Sequence, residues 1–513
     1  MSDVTTDAEK TASIPSSSSD TAFQFHDGDS PIVTPGASES EQIRELAQHF
    51  GVDHRKLMWK IDIRLVPMLC ILYLWAFLDR VNISNATLYN LKEDLNLTEG
   101  DRYNTVLTVF FVPYILFEVP SNMLMKKLRP HLWLSFCMFM FGFVSIMQGL
   151  TQNYAGIIVT RLFLGLCEAG MFPGCFYLLA MWYVRSEAQK RYSFFFSSTT
   201  LAGAFGGLLA TAIGLMDGMH GYSGWRWIFI IEGIATCAIA FCLYFLIVDF
   251  PEEAKFLATN EREFIKAKLA LDVGQSQHVR KATLRDVGNV FKDYKVILVG
   301  FMYFGLIVPS YGYAYFAPTI IKAFNYGSTV QTQLHSVPPW VVACGASMIS
   351  ATLSDYFRHR YLFTVVLTSI AIVGFGMLLG IHDNKKAEYA ALFLCAMGCY
   401  SAMPIVVCWT TTNFAGHLRR GVGSGFQIGF GNIGGIIATF AFLSVDAPYY
   451  TKGYAISLAF AGLSIISCTL YEIAIMWENR RRQRGIGLEK WEKMSEDDRV
   501  FAGDLSPEFR YCY

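Results

Sequence analysis

The sequence predicts an all-α integral membrane protein with about 12 transmembrane helices arranged as two halves of six. Three observations predict it. The 513-residue chain is 53% hydrophobic and only 16% charged, against about 25% charged in soluble domains. Apolar segments of about 20 residues, the length a helix needs to cross ~30 Å of hydrocarbon, recur along it. A charged stretch of about 45 residues, 249–294, interrupts them midway.

Composition also excludes several classes. Lys plus Arg and Asp plus Glu number 42 each, so no bulk charge argues for nucleic acid, and no basic cluster is interleaved with an aromatic RNA or DNA module. Eleven of the 12 cysteines lie in apolar segments or at their edges, with Cys512 outside. No CxxC pair or His/Cys cluster has metal-site spacing, so the cysteines read as packing residues, neither disulfide framework nor metal site. No nucleophile and base pair stands out either, which argues against an enzyme.

In chain order, residues 1–54 read as a cytosolic N-terminal tail. Its first 37 residues are rich in Ser, Thr, Asp, Gly and Pro, the composition of disorder, and include a phosphorylatable SPIVTP. No apolar signal-peptide segment occurs there. A short capped helix begins near Ser38. Arg55, Lys56, Lys60 and Arg64 precede the first apolar segment, which places that end in the cytosol by the positive-inside rule. Residues 55–248 then form an N-terminal six-helix bundle, with apolar segments at 65–86, 104–125, 131–150, 156–182, 192–215 and 226–248. The stretch 249–294 is a cytosolic linker. Residues 295–477 form a C-terminal bundle with segments at 295–318, 335–354, 361–381, 388–411, 421–444 and 453–477, and 478–513 form a cytosolic tail. Basic residues collect after every second segment: Lys126, Lys127 and Arg129; Arg185, Lys190 and Arg191; Arg358 and Arg360; Arg419 and Arg420; then Arg480, Arg481, Arg482 and Arg484. Both termini are therefore expected in the cytosol. Asn96, in NLT on an outer loop, is a possible glycan acceptor.

The first segment, LVPMLCILYLWAFLDRVNISNA, carries the chemistry. Its uncharged run from Leu65 to Leu78 rises only about 21 Å as a helix, so to span it must continue through Asp79, Arg80, Asn82 and Asn85. An acid and a base then lie inside the bilayer, each costing several kcal/mol unless it faces protein or water. Adjacent helical residues point about 100° apart, so Asp79 and Arg80 each need a partner elsewhere. The fourth segment supplies Arg161 and Glu168, seven residues and about 10.5 Å apart on nearly one face. The economical arrangement turns all four toward one polar cavity, where Glu168 neutralises a cation or accepts a proton while Arg80 holds an anion. A permanent salt-bridge network that only orients helices is the alternative.

Glu118 in FEVPSN, near Lys126 and Lys127, reads as a gate or structural charge, as does Glu232 in GWRWIFIIEG. Asp355 in LSDYFRHR begins a loop of the kind that clips helices together. The second half offers polarity without much charge: Tyr311, Tyr313 and Tyr315 around Pro309 and Gly312, Trp409 ahead of three threonines and Asn413, and Gln427 and Asn432 among many glycines.

Together, LDRVNISNA, RLFLGLCEAGMFP, FEVPSN and GWRWIFIIEG, with the two halves of six, resemble the anion:cation symporter branch of the major facilitator superfamily, especially its fungal allantoate and nicotinate permease-like group. The resemblance covers about residues 55–480 and implies the 6+6 major facilitator fold with a midplane substrate site. It implies that Arg80 binds the anionic group of a substrate, that Asp79 and Glu168 couple protons, that Arg161 matches a fourth-span arginine, and that Asn432 lies near substrate. One departure is visible. The usual Gly-x-x-x-Asp-Arg after the second span reads PSNMLMKKLRP here, without the Asp, whereas SDYFRHR after the eighth keeps it.

The expected function is alternating-access, proton-coupled symport of a small organic anion such as a vitamin precursor, ureide or aromatic acid. The substrate-binding set is Arg80, Tyr311, Tyr313, Trp409 and Asn432. No cofactor is expected beyond the coupling proton, and the chain is expected to work as a monomer in the plasma membrane. An exporter of an acidic metabolite and a non-transporting nutrient receptor are the rivals.

Overall fold

The computed structural model describes residues 39–273, 284–324, 327–357, 359–415, 417–447, 449–486, 491, 493–494, 503–507 and 509–513. The disordered stretch expected at 1–37 lies outside them. Among the described residues every regular element is helical.

A short helix α1 (Glu39–His49) precedes α2 (His54–Ala86), whose 33 residues rise about 50 Å. Asp53 starts α2 by accepting from the backbone amides of Arg55 and Lys56. The N-terminal half continues with α3 (Arg102–Lys127), α4 (Pro130–Gly149), α5 (Tyr154–Glu168), α6 (Met171–Trp182), α7 (Arg185–Gly214) and α8 (Gly224–Leu246). The linker holds α9 (Thr259–Val273) and α10 (Leu284–Val290). The C-terminal half comprises α11 (Tyr294–Ala323), α12 (Thr329–Phe357), α13 (Arg360–Gly380), α14 (Lys385–Asn413), α15 (His417–Ala441) and α16 (Thr451–Gln483).

Ten rods, with α5 and α6 counted as one, are long and apolar enough to cross a membrane. The remaining two, α3 and α15, are 26 and 25 residues long, about 38 Å each, and complete two sets of six. These two pack against each other across the two halves. The fourth apolar segment is not one uninterrupted helix: it breaks at Ala169 and Gly170, immediately after Glu168.

Small residues set the close approaches. A Cβ on Gly165 of α5 would stand 2.1 Å from the Phe110 carbonyl oxygen of α3, and one on Gly203 of α7 would stand 2.4 Å from the Trp340 ring of α12. Only glycine allows either contact.

The ends of the bundle that carry the termini also carry α9 and α10. Lys268 of α9, nearly fully buried, donates to both oxygens of Glu187 at 2.7 and 2.6 Å, and Lys60 bonds Glu261 at 2.7 Å. On the opposite side Asn96 is exposed in a turn.

The C-terminal tail is not simply solvated. The described residues of the tail end, 503–507 and 509–513, fold back beneath the C-terminal half. Asp504 bonds Arg419 at 2.6 Å, the Cys512 carbonyl accepts from Trp409 and Asn413 at 2.9 Å each, and the Tyr513 carbonyl accepts from the Arg360 amide at 2.8 Å. Lys295 donates to the Tyr511 hydroxyl at 2.6 Å, and Arg482 to the Phe509 carbonyl at 2.8 Å. Polar groups left at the helix ends by the fold are satisfied by this segment.

Candidate functional site

Arg80 sits near the far end of α2, 2% exposed, with its guanidinium directed between the two halves. Its Nε donates to Glu168 Oε1 at 3.1 Å, and Nη2 donates to the same oxygen. Nη1 donates to the Tyr311 hydroxyl of α11. The rings of Tyr114, Phe110 and Tyr311 face the guanidinium carbon at 4.9, 5.1 and 5.9 Å, the geometry of cation–π contact. One cation of α2 is thus held by one carboxylate, one phenol and three aromatic rings drawn from α3, α5 and α11.

Of these groups Arg80, Tyr114 and Tyr311 line a narrow pocket between the halves, with Glu168 behind the guanidinium. Its lining adds Tyr73, Phe77, Phe172 and Phe196 from the N-terminal half, and Tyr303, Tyr400 and Asn432 from the other; Arg80 is the lining's single charged residue. Thr199 and Ser310 supply hydroxyls. Its walls combine one guanidinium with a largely aromatic surround.

Contacts between the halves close the cavity on both sides. Toward the side away from the termini, Ser84 bonds the Tyr315 carbonyl, and Asn104 donates to the carbonyls of Thr439 and Phe442. Toward the terminal side, Glu118 interacts with Asn432, Tyr192 with Arg420, and Asp355 with Lys190.

Arg80, Glu168, Tyr311 and Asn432 therefore meet at one place. Four other candidates do not join them. Asp79 faces away from the cavity and accepts from Thr236 of α8 at 3.2 Å, because its neighbour Arg80 points about 100° from it. Arg161 is 1% exposed, and its Nε and Nη2 have no hydrogen-bond partner among the described residues. Tyr313 lies behind the cavity wall, its ring 5.2 Å from Trp340, since two helical steps turn it about 200° from Tyr311. Trp409 is nine residues, about 13 Å, from the cavity residue Tyr400 and is fastened instead to Cys512 and packed on Tyr471.

The acids read as gating charges also sort out. Glu118 turns into the interface with α15, within 3.8 Å of where a Gly429 Cβ would stand; the side chains of Lys126 and Lys127 lie outside the described ones. Asp355 of α12 lies in the electrostatic field of Arg360 and of Lys190 on α7. Glu232 is 1% exposed on α8, and neither carboxyl oxygen has a hydrogen-bond partner among the described residues.

Sequence reasoning missed most of the aromatic lining. Tyr73 and Phe77 lie seven and three residues before Arg80, on its own face of α2, and helical periodicity applied to Arg80 would have found both. Tyr114, Tyr303 and Tyr400 come from helices that approach only in the tertiary fold.

Two six-helix halves around a central cavity with a buried charge pair define a membrane transporter fold. The chain matches the family model of the Major Facilitator Superfamily over residues 69–439, and it belongs to that family. It is 34% identical over 455 residues to an uncharacterized transporter of Schizosaccharomyces pombe, C1002.16c, covering 89% of this chain and 90% of that one. It is 32% identical over 488 residues to the MFS-type transporter cnsO of Penicillium expansum, covering 92% and 94%. Among solved structures, a bacterial homologue of the human lysosomal transporter Spinster, inward-facing and occupied, superposes with a TM-score of 0.59 at 15% identity, over 80% of this chain and 96% of that one. That likeness concerns the fold. The protein is a multi-pass membrane transporter and not an enzyme.

Proposed function

We propose that the protein is a proton-coupled symporter of a small organic anion, within the anion:cation symporter branch and its fungal allantoate and nicotinate permease-like group. The observation that carries this is the position of Arg80, a lone cationic group on the wall of a closed, aromatic cavity, countered by a single carboxylate. A guanidinium fork suits a carboxylate bidentately. The rings around it suit a planar, partly apolar body, such as an aromatic monocarboxylate.

The chemistry follows from the charge balance. Arg80 and Glu168 together are neutral. When a substrate carboxylate takes the guanidinium, Glu168 loses its counter-ion inside a low-dielectric site and takes up a proton. Anion and proton then cross together with the site's net charge unchanged. Tyr311 accepts from Arg80, so its own O–H remains to donate to the bound anion. Asp79 belongs to the same coupling machinery at one remove, and Asn432 with Glu118 borders the substrate on the terminal side.

The chain acts as a monomer in the plasma membrane, with both termini and the 249–294 linker in the cytosol; the basic loops support this orientation. Uptake of a panel of labelled carboxylates into proteoliposomes, across internal and external pH, tests the function. Accumulation driven by an inward proton gradient supports symport. Accumulation only by outward flux from loaded vesicles favours an exporter, and zero flux with retained binding favours a receptor.

A further inference from the structure

Glu232 takes no part in the charge balance between Arg80 and Glu168. Glu232 on α8 is 1% exposed, and neither of its carboxyl oxygens is hydrogen-bonded among the described residues. Its electrostatic neighbour is another carboxyl, Asp79 on α2, which is equally buried and keeps Oδ1 unbonded. Thr236, one helical turn from Glu232, donates to the other Asp79 oxygen at 3.2 Å.

The charged groups that face this pair come from α5. Arg161 interacts with both Asp79 and Glu168 and, like Glu232, has buried polar atoms without partners. Glu168 itself interacts with Asp79. Cys237 on α8 is a further titratable neighbour of Asp79. The other helices packed on α8 bring no charge to this level: α4 has only His131, at its terminal-side end, and α7 has no charged residue after Arg191.

We propose that Asp79 and Glu232 form a second proton site, a carboxyl pair that holds one proton between them on the side of α2 turned away from the substrate cavity. This deepens the symport reading and rests on it. Two carboxylates taken out of water beside each other cannot both remain ionised without a cation for each. Arg161 is a single cation, shared with Glu168.

That sharing gives the pair a place in the coupling. While Glu168 is ionised and held by Arg80, Arg161 is partly neutralised by it, and the pair keeps its proton. When a substrate anion occupies Arg80 and Glu168 becomes neutral, Arg161 has only Asp79 to balance it. The pair keeps its proton, its single negative charge is then balanced by Arg161, and the proton that Glu168 gains comes from solvent, so the half with its bound anion stays neutral. Arg161 is a positioning residue in this scheme, acting on both acids without touching substrate.

Infrared spectroscopy of the carbonyl stretch of protonated carboxylic acids, on purified protein in lipid nanodiscs across pH, reads the pair without any substrate. The wild type is expected to show a protonated-carboxyl band at neutral pH that Glu232→Gln removes and that Asp79→Asn moves to lower pH. Monodispersity and an unchanged melting temperature control for folding. A band that survives Glu232→Gln, or that Asp79→Asn leaves in place, overturns the pair. The symport reading fails separately, if wild-type proteoliposomes loaded with a pH dye take up a carboxylate without proton entry. Loss of the band in Glu232→Gln together with a wild-type pH profile of uptake overturns the coupling role.

Discussion

Glu168 accepts two hydrogen bonds from Arg80 through a single carboxylate oxygen, Oε1, and Oε2 has no partner among the described residues. Most of what can be tested follows from that one-sided pairing. A carboxylate held through both oxygens would be a rigid strut; one held through one oxygen can yield its partner to a competing anion.

Glu168→Gln keeps the shape of the side chain and removes its proton chemistry. Accumulation of a carboxylate against its gradient should be abolished, while counterflow exchange of labelled for unlabelled substrate persists. A mutant that still concentrates substrate with the wild-type pH dependence would exclude Glu168 as the coupling acid.

Tyr311→Phe retains the ring that faces Arg80 and loses the hydroxyl that accepts from it. A typical hydrogen bond contributes about 0.5–1.5 kcal/mol net. Substrate affinity should therefore fall roughly two-fold to ten-fold, with little change in melting temperature. Titration calorimetry on the purified variant gives the affinity, and scanning calorimetry the melting temperature.

Removal of residues 503–513 should destabilise the C-terminal half, since it strips buried partners from Trp409, Asn413, Lys295 and Arg482. Each stranded buried polar group costs about 1–3 kcal/mol. Asp504→Asn, which removes one of the two carboxylates on Arg419, should have a smaller effect in the same direction. Thermal unfolding of both variants in detergent, followed by intrinsic fluorescence, orders them; equal melting curves for truncation and wild type would show the segment contributes nothing.

Docking of α9 should depend on pH with a definite sign. Burial pushes the Glu187 carboxyl up, but its bonds to His54 and Lys268 outweigh that and hold it below the ordinary glutamate value. A depressed folded value contributes stability that is full above the unfolded value, about 4.3, and is lost as pH falls through the lower folded value. Hydrogen exchange across residues 259–273 should thus stay slow from neutral pH to about 4.3 and accelerate below it. Glu187→Gln should give the fast pattern already at neutral pH.

Much of this was legible in the chain because charge inside a bilayer is expensive and therefore rare. Arg80 and Glu168 could be picked out on that ground alone, as could the two halves of six from the apolar segments and the charged linker. What was misplaced was direction. Turning Asp79 and Arg80 to one cavity contradicts the 100° step between them, and the same step rule separates Tyr311 from Tyr313. The break after Glu168 had a signal that was passed over: Pro173 has no N–H for the Ala169 carbonyl four residues earlier, and Gly170 lies in the gap. Trp409 and its threonines suggested a polar wall, but Trp409 and Asn413 meet a C-terminal segment whose docking depends on Asp504, Tyr511 and Cys512, residues with no periodic signal, while Thr410 bonds Gln427. The aromatic lining from α3, α11 and α14 is a property of how the helices cross.

The most direct test is the affinity of Arg80→Lys for a transported carboxylate, measured on purified, monodisperse protein in liposomes. Lysine keeps the charge that balances Glu168 but offers a compact ammonium in place of the planar fork. If Arg80 clamps the substrate, affinity falls by about 1.5–3 kcal/mol, the scale of a hydrogen bond to a charged group, or roughly ten-fold to more than a hundred-fold, in a protein that still folds. Unchanged affinity in a folded Arg80→Lys protein would contradict that role and leave Arg80 as a structural charge.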